Sequence, residues 1–399
     1  MPDKNNKTLK PGWRWVKFGD VVRQCKEKAD PETSGLERYI AGDHMDTDDL
    51  RLRRWGEIGS GYLGPAFHMR FKPGQVLYGS RRTYLRKVAV ADFDGICANT
   101  TFVLEPKSPE ELLPAFLPFL MQTDAFNDFS VMNSKGSVNP YINFSDLAQF
   151  EFALPPMDEQ RQIVPVLLAT RECAEAYQSA EGALQTFLLS RTDELFSGPV
   201  DVEAKTQVIG DIAEVQYGLT INANRRIIEK QLPYLRVANV QRFHMDLSEV
   251  KDVGVDSKDD GCVLRRNDIL VVEGHADIAE LGRASIWEDQ LPICLHQNHL
   301  IRIRCRPEFD PYYVLEYVNS PAGRAYFRGR GKSTSGLNTL NSTVVRVMPI
   351  PIPPLATQKS IADELKEARR SLKEIADRKE QHATVSKRLS AEIFGGGQG

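Results

Sequence analysis

Leu154-Pro155-Pro156-Met157-Asp158-Glu159-Gln160 returns 198 residues later as Ile352-Pro353-Pro354-Leu355-Ala356-Thr357-Gln358. The same offset carries Ile163 onto Ile361, Leu167 onto Leu365 and Phe196 onto Phe394, a register too long for accident. A period of this size is far longer than the brick of a solenoid, so each copy is a whole domain plus a connector. A duplication of about half the chain implies two similar surfaces related by a pseudo-two-fold axis.

Downstream of each Pro-Pro step the spacing becomes helical. Positions 163, 167, 170, 174, 177, 181, 184, 188, 191 and 195 follow alternating steps of four and three. A repeat of about 3.5 residues is the seam of a coiled coil. The second copy keeps the seam at 361, 365, 368, 372, 375, 379, 382, 386, 389 and 393, with more polar interruptions late on. Pro-Pro cannot continue a helix upstream, and the segments end near Phe196-Ser197-Gly198-Pro199 and Phe394-Gly395-Gly396-Gly397. Each helix is expected to run about 38 residues, roughly 57 Å at the usual rise. A pseudo-two-fold pairs them antiparallel, with one globular domain at each end. Polar seam residues Glu181 and Lys379 weaken the seam but can fix its register. The plainer reading, a helical hairpin on a core, fits less well because the seam is narrow and the helices long.

The expected fold class is therefore α+β: two mixed α/β domains separated by two long antiparallel coiled-coil helices. The expected boundaries are 1–153, 154–198, 199–351 and 352–399. Strand-like runs include Val76-Leu77-Tyr78, Val88-Ala89-Val90, Thr101-Phe102-Val103-Leu104, Ile269-Leu270-Val271-Val272 and His299-Leu300-Ile301-Arg302-Ile303. Helical stretches are expected over 110–129 and 311–327. Each precedes a Gly/Ser segment, Ser134-Lys135-Gly136-Ser137 or Gly331-Lys332-Ser333-Thr334-Ser335-Gly336, and then Asn139 or Asn338. Between these anchors the halves diverge, which suggests one scaffold turned to two related targets.

Composition bounds the function. The chain has 399 residues, 41% hydrophobic and 26% charged, with no apolar run near the roughly 18 residues of a membrane span. Its first residues are polar with no apolar stretch behind them, so the expected compartment is the cytoplasm. The six cysteines stand singly, without a C-x-x-C pair. A net charge of −3 excludes coating nucleic acid by bulk electrostatics, so any DNA contact comes from local clusters.

The whole pattern resembles the specificity subunit of type I restriction-modification systems. The resemblance rests on Leu154-Pro155-Pro156 with Glu159-Gln160-Arg161 and on Pro353-Pro354-Leu355 with Gln358. Each motif opens a long helix and follows a variable domain with a Gly/Ser then Asn stretch. One departure is Ala356-Thr357-Gln358-Lys359 where the first copy has Asp158-Glu159-Gln160-Arg161; it bears on helix capping more than on fold. The resemblance implies that each variable domain is a target-recognition domain reading one half of a split double-stranded DNA site. It also implies helices that fix the gap and dock methyltransferase subunits, two copies, which carry S-adenosylmethionine and bring the motor-nuclease subunits. No cofactor is expected on this chain itself.

Base reading favours Arg and Lys for guanine and Asn and Gln for adenine, with hydroxyls and tyrosines filling in. In the first domain the candidates are Ser80, Arg81, Arg82, Thr83, Tyr84 and Lys87, then Lys135, Asn139 and Tyr141. In the second they are Tyr217, Thr220 and Asn222, then Arg328, Arg330, Lys332, Ser333, Thr334 and Asn338. The loop Glu273-Gly274-His275-Ala276-Asp277, aligned with the first domain's basic loop, is acidic and reads more readily as structural. Solvated turns are the bland alternative for each set. Arg53-Arg54, Arg225-Arg226 and Arg265-Arg266 read as surface pairs.

Catalytic readings fare poorly. Asp94, Glu105 and Lys107 imitate a nuclease spacing, but Pro106 breaks the strand and the second copy has no acid in Arg302-Ile303-Arg304. His296 and His299 are expected on opposite faces of a strand rather than on a metal. Asn139-Pro140-Tyr141 is a weak echo of an amino-methyltransferase motif, and no phosphate-binding loop is present. The expectation is a non-catalytic DNA-recognition subunit. Two alternatives stay open: a coiled-coil adaptor whose domains bind proteins, and a restriction enzyme of a single-chain type whose catalytic part lies on another polypeptide.

Overall fold

The computed structural model describes residues 9–197, 205–334 and 336–395, apart from the side chains of Arg226 and Thr334. The expected segment ends at Gly198-Pro199 and Gly396-Gly397, and Ser335, lie outside the described residues. The chain divides into two units, Met1–Tyr177 with Arg378–Gly399, and Gln178–Asp377. The division cuts both long helices, so each unit holds half of each.

In the first unit a four-stranded sheet runs in the order Val22–Cys25, Thr101–Pro106, Val76–Gly79, Val88–Val90, all antiparallel. Alternation along these strands buries both faces. Val76 and Tyr78 face one apolar cluster with Phe18, Leu104 and Phe126, while Leu77, Ala89 and Val103 face a second with Ile40 and Phe71. That is why the strands read as unbroken apolar runs rather than alternating ones. A second sheet, Gly56–Glu57, Arg38–Ile40, Gly95–Ala98 and Phe67–Phe71, covers the second cluster. The opening strand Arg14–Lys17 pairs antiparallel with Glu151–Leu154, the strand that leads into Pro155-Pro156.

The second unit repeats this wiring. Ala213–Tyr217, Leu300–Cys305, Ile269–Val272 and Ala284–Ile286 take the same order, and Lys205–Val208 pairs with Pro349–Ile352. Ile269 and Val271 face one cluster, Leu270 and Val272 the other. Each unit also has one parallel strand pair, Tyr39 beside Ile96 and Tyr234 beside Leu295.

The helical stretches expected over 110–129 and 311–327 are each broken in two. The first resolves into turns followed by Leu117–Met121 and Asp124–Met132, the second into Pro311–Asn319 and Pro321–Arg330. In each case the break is a side-chain cap: Thr123 Oγ1 accepts the Phe126 amide, and Ser320 Oγ accepts the Gly323 amide.

The two long helices, α1 (Met157–Ser197, 41 residues) and α2 (Leu355–Phe394, 40 residues), begin directly after their Pro-Pro steps. Pro165 lies inside α1 and removes one backbone bond on its exposed side, yet the helix runs on. The repeated glutamine explains the repeated motif. Gln160 is fully buried; its Oε1 accepts the Leu113 amide at 2.9 Å and its Nε2 donates to the carbonyls of Glu111 and Pro155. Gln358 does the same work in the second unit, accepting the Asp310 amide at 3.0 Å and donating to the Pro353 carbonyl at 2.8 Å. Within the second unit, Phe196 of α1 meets Tyr313 and Tyr317, and Arg191 of α1 pairs with Glu364 of α2 at 2.8 Å. Within the first, Tyr177 lies against His382, and Phe394 against Phe116. No described helix is long and apolar enough to cross a membrane.

Candidate nucleic-acid interface

The central strand Val76–Gly79 leaves the core at Gly79, and the residues after it form a turn held by unusual backbone. Arg82 and Arg86 both have φ of +50°, a left-handed conformation rare outside glycine, on either side of the short turn Thr83–Leu85. Distant chain then pairs with this turn. Arg81 bridges Tyr141, Tyr141 bridges Lys135, the Arg82 amide donates to the Pro140 carbonyl at 2.6 Å, and the Ile142 amide to the Ser80 carbonyl at 3.0 Å. The two candidate sets of the first domain are thus one surface, a three-segment ribbon.

The side chains on that ribbon divide into two kinds. Ser80 and Thr83 are buried: Ser80 Oγ donates to the Thr100 carbonyl, and Thr83 Oγ1 lies 3.0 Å from Ser134 Oγ. Lys87 reaches back to the Gly42 carbonyl. Arg81, Arg82, Tyr84, Lys135, Asn139 and Tyr141 are exposed, with Val138 standing 86% exposed among them. Lys135 holds Asp146 at 2.7 Å, and this hydrogen bond raises its pKa while lowering that of Asp146. Guanidinium, ammonium, carboxamide and aromatic groups on one edge are the chemistry that meets phosphates and base edges.

The second unit builds the same ribbon from different residues. Gly274–His275, Leu337–Thr339 and Lys332–Thr334 form a three-stranded sheet in which Thr339 faces Gly274 on one side and Lys332 on the other. Tyr141 and Thr339 are 198 residues apart, so Lys135 corresponds to Lys332, and Arg81 to Gly274. The acidic loop is therefore part of the surface: Asn338 Nδ2 donates to the carbonyls of His275 and Ala276, and Glu273 pairs with exposed His299 at 2.7 Å. Lys332 and Ser333 are exposed; the side chain of Thr334 is outside the description. Arg330 stacks on Tyr326 at 3.8 Å, and Arg328 is exposed on the same helix. Tyr217 accepts the Ser342 amide at 2.9 Å and so secures the ribbon's exit. Thr220 and Asn222 sit on a separate loop that Arg225 ties to Gly254 and Asp259.

Two arginines whose partners the sequence does not show support these surfaces. Arg86 donates from Nε to Asp48 at 2.7 Å, from Nη1 to Asp124 at 2.9 Å, and from Nη2 to the Gln122 carbonyl. Burial works against its charge, and Asp48 and Asp124 more than offset it, so its pKa lies above the usual value. Arg225, read as surface, is in a buried pair with Asp259 at 2.7 Å. Nothing local in the sequence marks either, because each partner is more than thirty residues away.

The residues that imitate enzyme sites are otherwise engaged. Asp94 accepts from Nε and Nη2 of Arg70, and Glu105 accepts from Arg23 and Gln75. His296 ends the strand Leu295–His296 and is fully buried against the Cys262 carbonyl, whereas exposed His299 lies in the turn before Leu300–Cys305, so a turn rather than alternation along one strand separates the two. No group of three metal-ligating side chains occurs among the described residues.

The family model described as type I restriction modification DNA specificity domain matches residues 12–174 and again 199–382. The EcoDI specificity subunit of Escherichia coli is 28% identical over 162 residues, which is 41% of this chain and 35% of that one. The chain spans about a third of the length of the curated relatives it matches. The crystal structure of the type I restriction-modification S subunit from M. genitalium superposes with a TM-score of 0.61 at 14% identity, covering 99% of this chain and 98% of that one. A chain from a structure of type I system assembly and conformational transition gives 0.56 at 20% identity, covering 97% and 98%. At these identities the likeness is one of fold.

Proposed function

We propose that this chain, which belongs to the type I restriction modification DNA specificity family, is the sequence-recognition subunit of such a system and leaves catalysis to its partners. The observation that carries the reading is the ribbon. One backbone arrangement occurs in both units and presents Arg81, Tyr141 and Lys135 in one, Gly274, Thr339 and Lys332 in the other. Identical scaffolds with unlike edges fit the reading of an asymmetric bipartite site, one half by residues 1–153 and the other by 199–351. The exposed candidates on the ribbons and on the helix beside the second, Arg81, Arg82, Tyr84, Lys135, Asn139 and Tyr141, then Arg328, Arg330, Lys332 and Ser333, make the contacts, with exposed Thr220 and Asn222 on their separate loop.

The helices over 154–198 and 352–399 set the spacing of the halves as an antiparallel coiled coil about a pseudo-two-fold axis. Supporting this, all ten seam positions of each helix are buried or half-buried. Inside each unit α1 touches α2, through Arg191 with Glu364 in the second and Tyr177 with His382 in the first. The same helices dock two methyltransferase subunits, and through them the motor-nuclease subunits.

Salt separates this reading from a protein-binding adaptor. The full chain, purified with its cognate methyltransferase subunits, is titrated with duplex DNA between 50 and 200 mM salt. Six to ten phosphate contacts weaken binding by about 10³ to 10⁵ over that range. A flat response assigns the domains to protein partners and removes the DNA reading.

A further inference from the structure

We infer that Arg86 is a positioning residue for reading the first half-site: it touches no base or phosphate, and it holds the turn that presents Arg81 and Arg82. The inference rests on the DNA reading above.

Three observations converge on it. Among the described residues of the first unit, the turn is the one place where two non-glycine residues four apart, Arg82 and Arg86, share the left-handed backbone conformation. Such a conformation costs an ordinary residue free energy and persists only where surroundings impose it. The imposing group is the Arg86 side chain itself. Its guanidinium is bound by Asp48, Asp124 and the Gln122 carbonyl, so its forked donors face the protein and are unavailable to DNA.

The bracket is reinforced from both sides. The Asp48 amide donates to the Arg86 carbonyl at 3.2 Å, Thr47 Oγ1 donates to the Leu85 carbonyl at 2.9 Å, and Gln122 Nε2 donates to the Asp48 carbonyl at 2.8 Å. Asp48, like Arg86, has a positive φ, +54°. Segment 47–48 and the start of the helix Asp124–Met132 therefore grip the turn from behind, while its front edge pairs with Pro140 and Tyr141. Asp124 also lies 3.7 Å from Lys387 of α2, which ties the bracket to the long helix of the same unit. A side chain fixed on its back and exposed on its front is how a rigid element aims a reader; a loop without the bracket samples many orientations and discriminates poorly.

The test uses the full chain with its methyltransferase subunits and a library of duplexes with randomised sequence, read by enrichment. Wild type yields a two-part motif. Arg86→Ala loses at least one base pair of one part, with binding to the best wild-type duplex weakened about tenfold or more. The other part and binding to random duplex stay unchanged. Arg86→Lys, which keeps the charge and not the fork, fails to restore the lost part. Asp124→Asn gives the same half-confined loss in milder form, and serves if Arg86→Ala does not fold. Retention of both parts in Arg86→Ala, equal damage to both parts, or full rescue by lysine overturns the inference. Absence of any motif for wild type instead overturns the DNA reading.

Discussion

Gln160 and Gln358 are the same clamp made twice: each accepts a backbone amide, from Leu113 and from Asp310, on the segment preceding a domain helix. Each also donates to the carbonyl of the first proline of its Pro-Pro step, Pro155 and Pro353. The glutamine thus locks helix start, lead-in strand and domain together, and no shorter or apolar side chain could replace its two-ended hydrogen bonding.

Removing one clamp leaves several buried backbone groups without partners, at about 1–3 kcal/mol for the most costly of them. Gln160→Ala is expected to lower stability by about 2–4 kcal/mol and Gln358→Ala by somewhat less, since Gln358 makes one fewer bond. Thermal melting of the two variants checks both the size and the order.

Ion pairs in the second unit should differ sharply in worth. Arg225 and Asp259 are both largely buried, whereas Arg191 and Glu364 are substantially exposed. Asp259→Ala strands a buried guanidinium and should cost about 3–5 kcal/mol. A double-mutant cycle on Arg191 and Glu364 should return a coupling below about 1 kcal/mol. Denaturant melts of the single and double variants measure the two quantities.

His296 gives the fold an acid limit. Burial pushes its pKa down to about 4, and the ring donates from Nδ1 to the Cys262 carbonyl while Nε2 has no hydrogen-bond partner. An unfolded histidine titrates near 6.5, so between pH ~6.5 and ~4 the unfolded chain binds a proton that the folded chain does not. This contribution is complete above about 6.5, shrinks as pH falls, and levels off below about 4, a loss of up to ~3 kcal/mol. His296→Asn keeps a donor for Cys262 and should flatten that part of the pH–melting curve relative to the parent.

Lys135 is exposed enough to exchange Asp146 for a phosphate. Lys135→Ala should weaken duplex binding at low salt and reduce the salt slope by about 0.9. If the slope of the variant matches the parent, Lys135 serves only to hold Asp146.

The parts of this molecule written locally were readable in sequence. Pro155-Pro156 and Pro353-Pro354 with their glutamines marked both helix starts, and the positions at four-three spacing are buried or half-buried along both helices. The apolar runs at 76–78, 101–104 and 269–272 are central strands buried on both faces. What escaped was carried by distant chain. Residues 81 and 141 form one ribbon through pairing across sixty residues. Arg86 looks like another basic loop residue until Asp48 and Asp124 arrive on either side. Ser80, Thr83, Tyr217 and Asn338 have side chains suited to bases, yet the fold uses their polar groups to hold its own backbone or neighbouring hydroxyls. The broken helices at 110–129 and 311–327 were missed because the caps Thr123 and Ser320 interrupt apolar periods that continue on either side.

Whether each domain reads one half of a split site is decided by single-molecule methylome sequencing. The host carries the chain with its cognate methyltransferase subunits, alongside a deletion of the chain and a version with residues 1–153 exchanged for those of a relative. The expected result is a bipartite modified motif that vanishes on deletion and changes in only one half on exchange. Methylation that persists without the chain, or an exchange that alters both halves or neither, would contradict it.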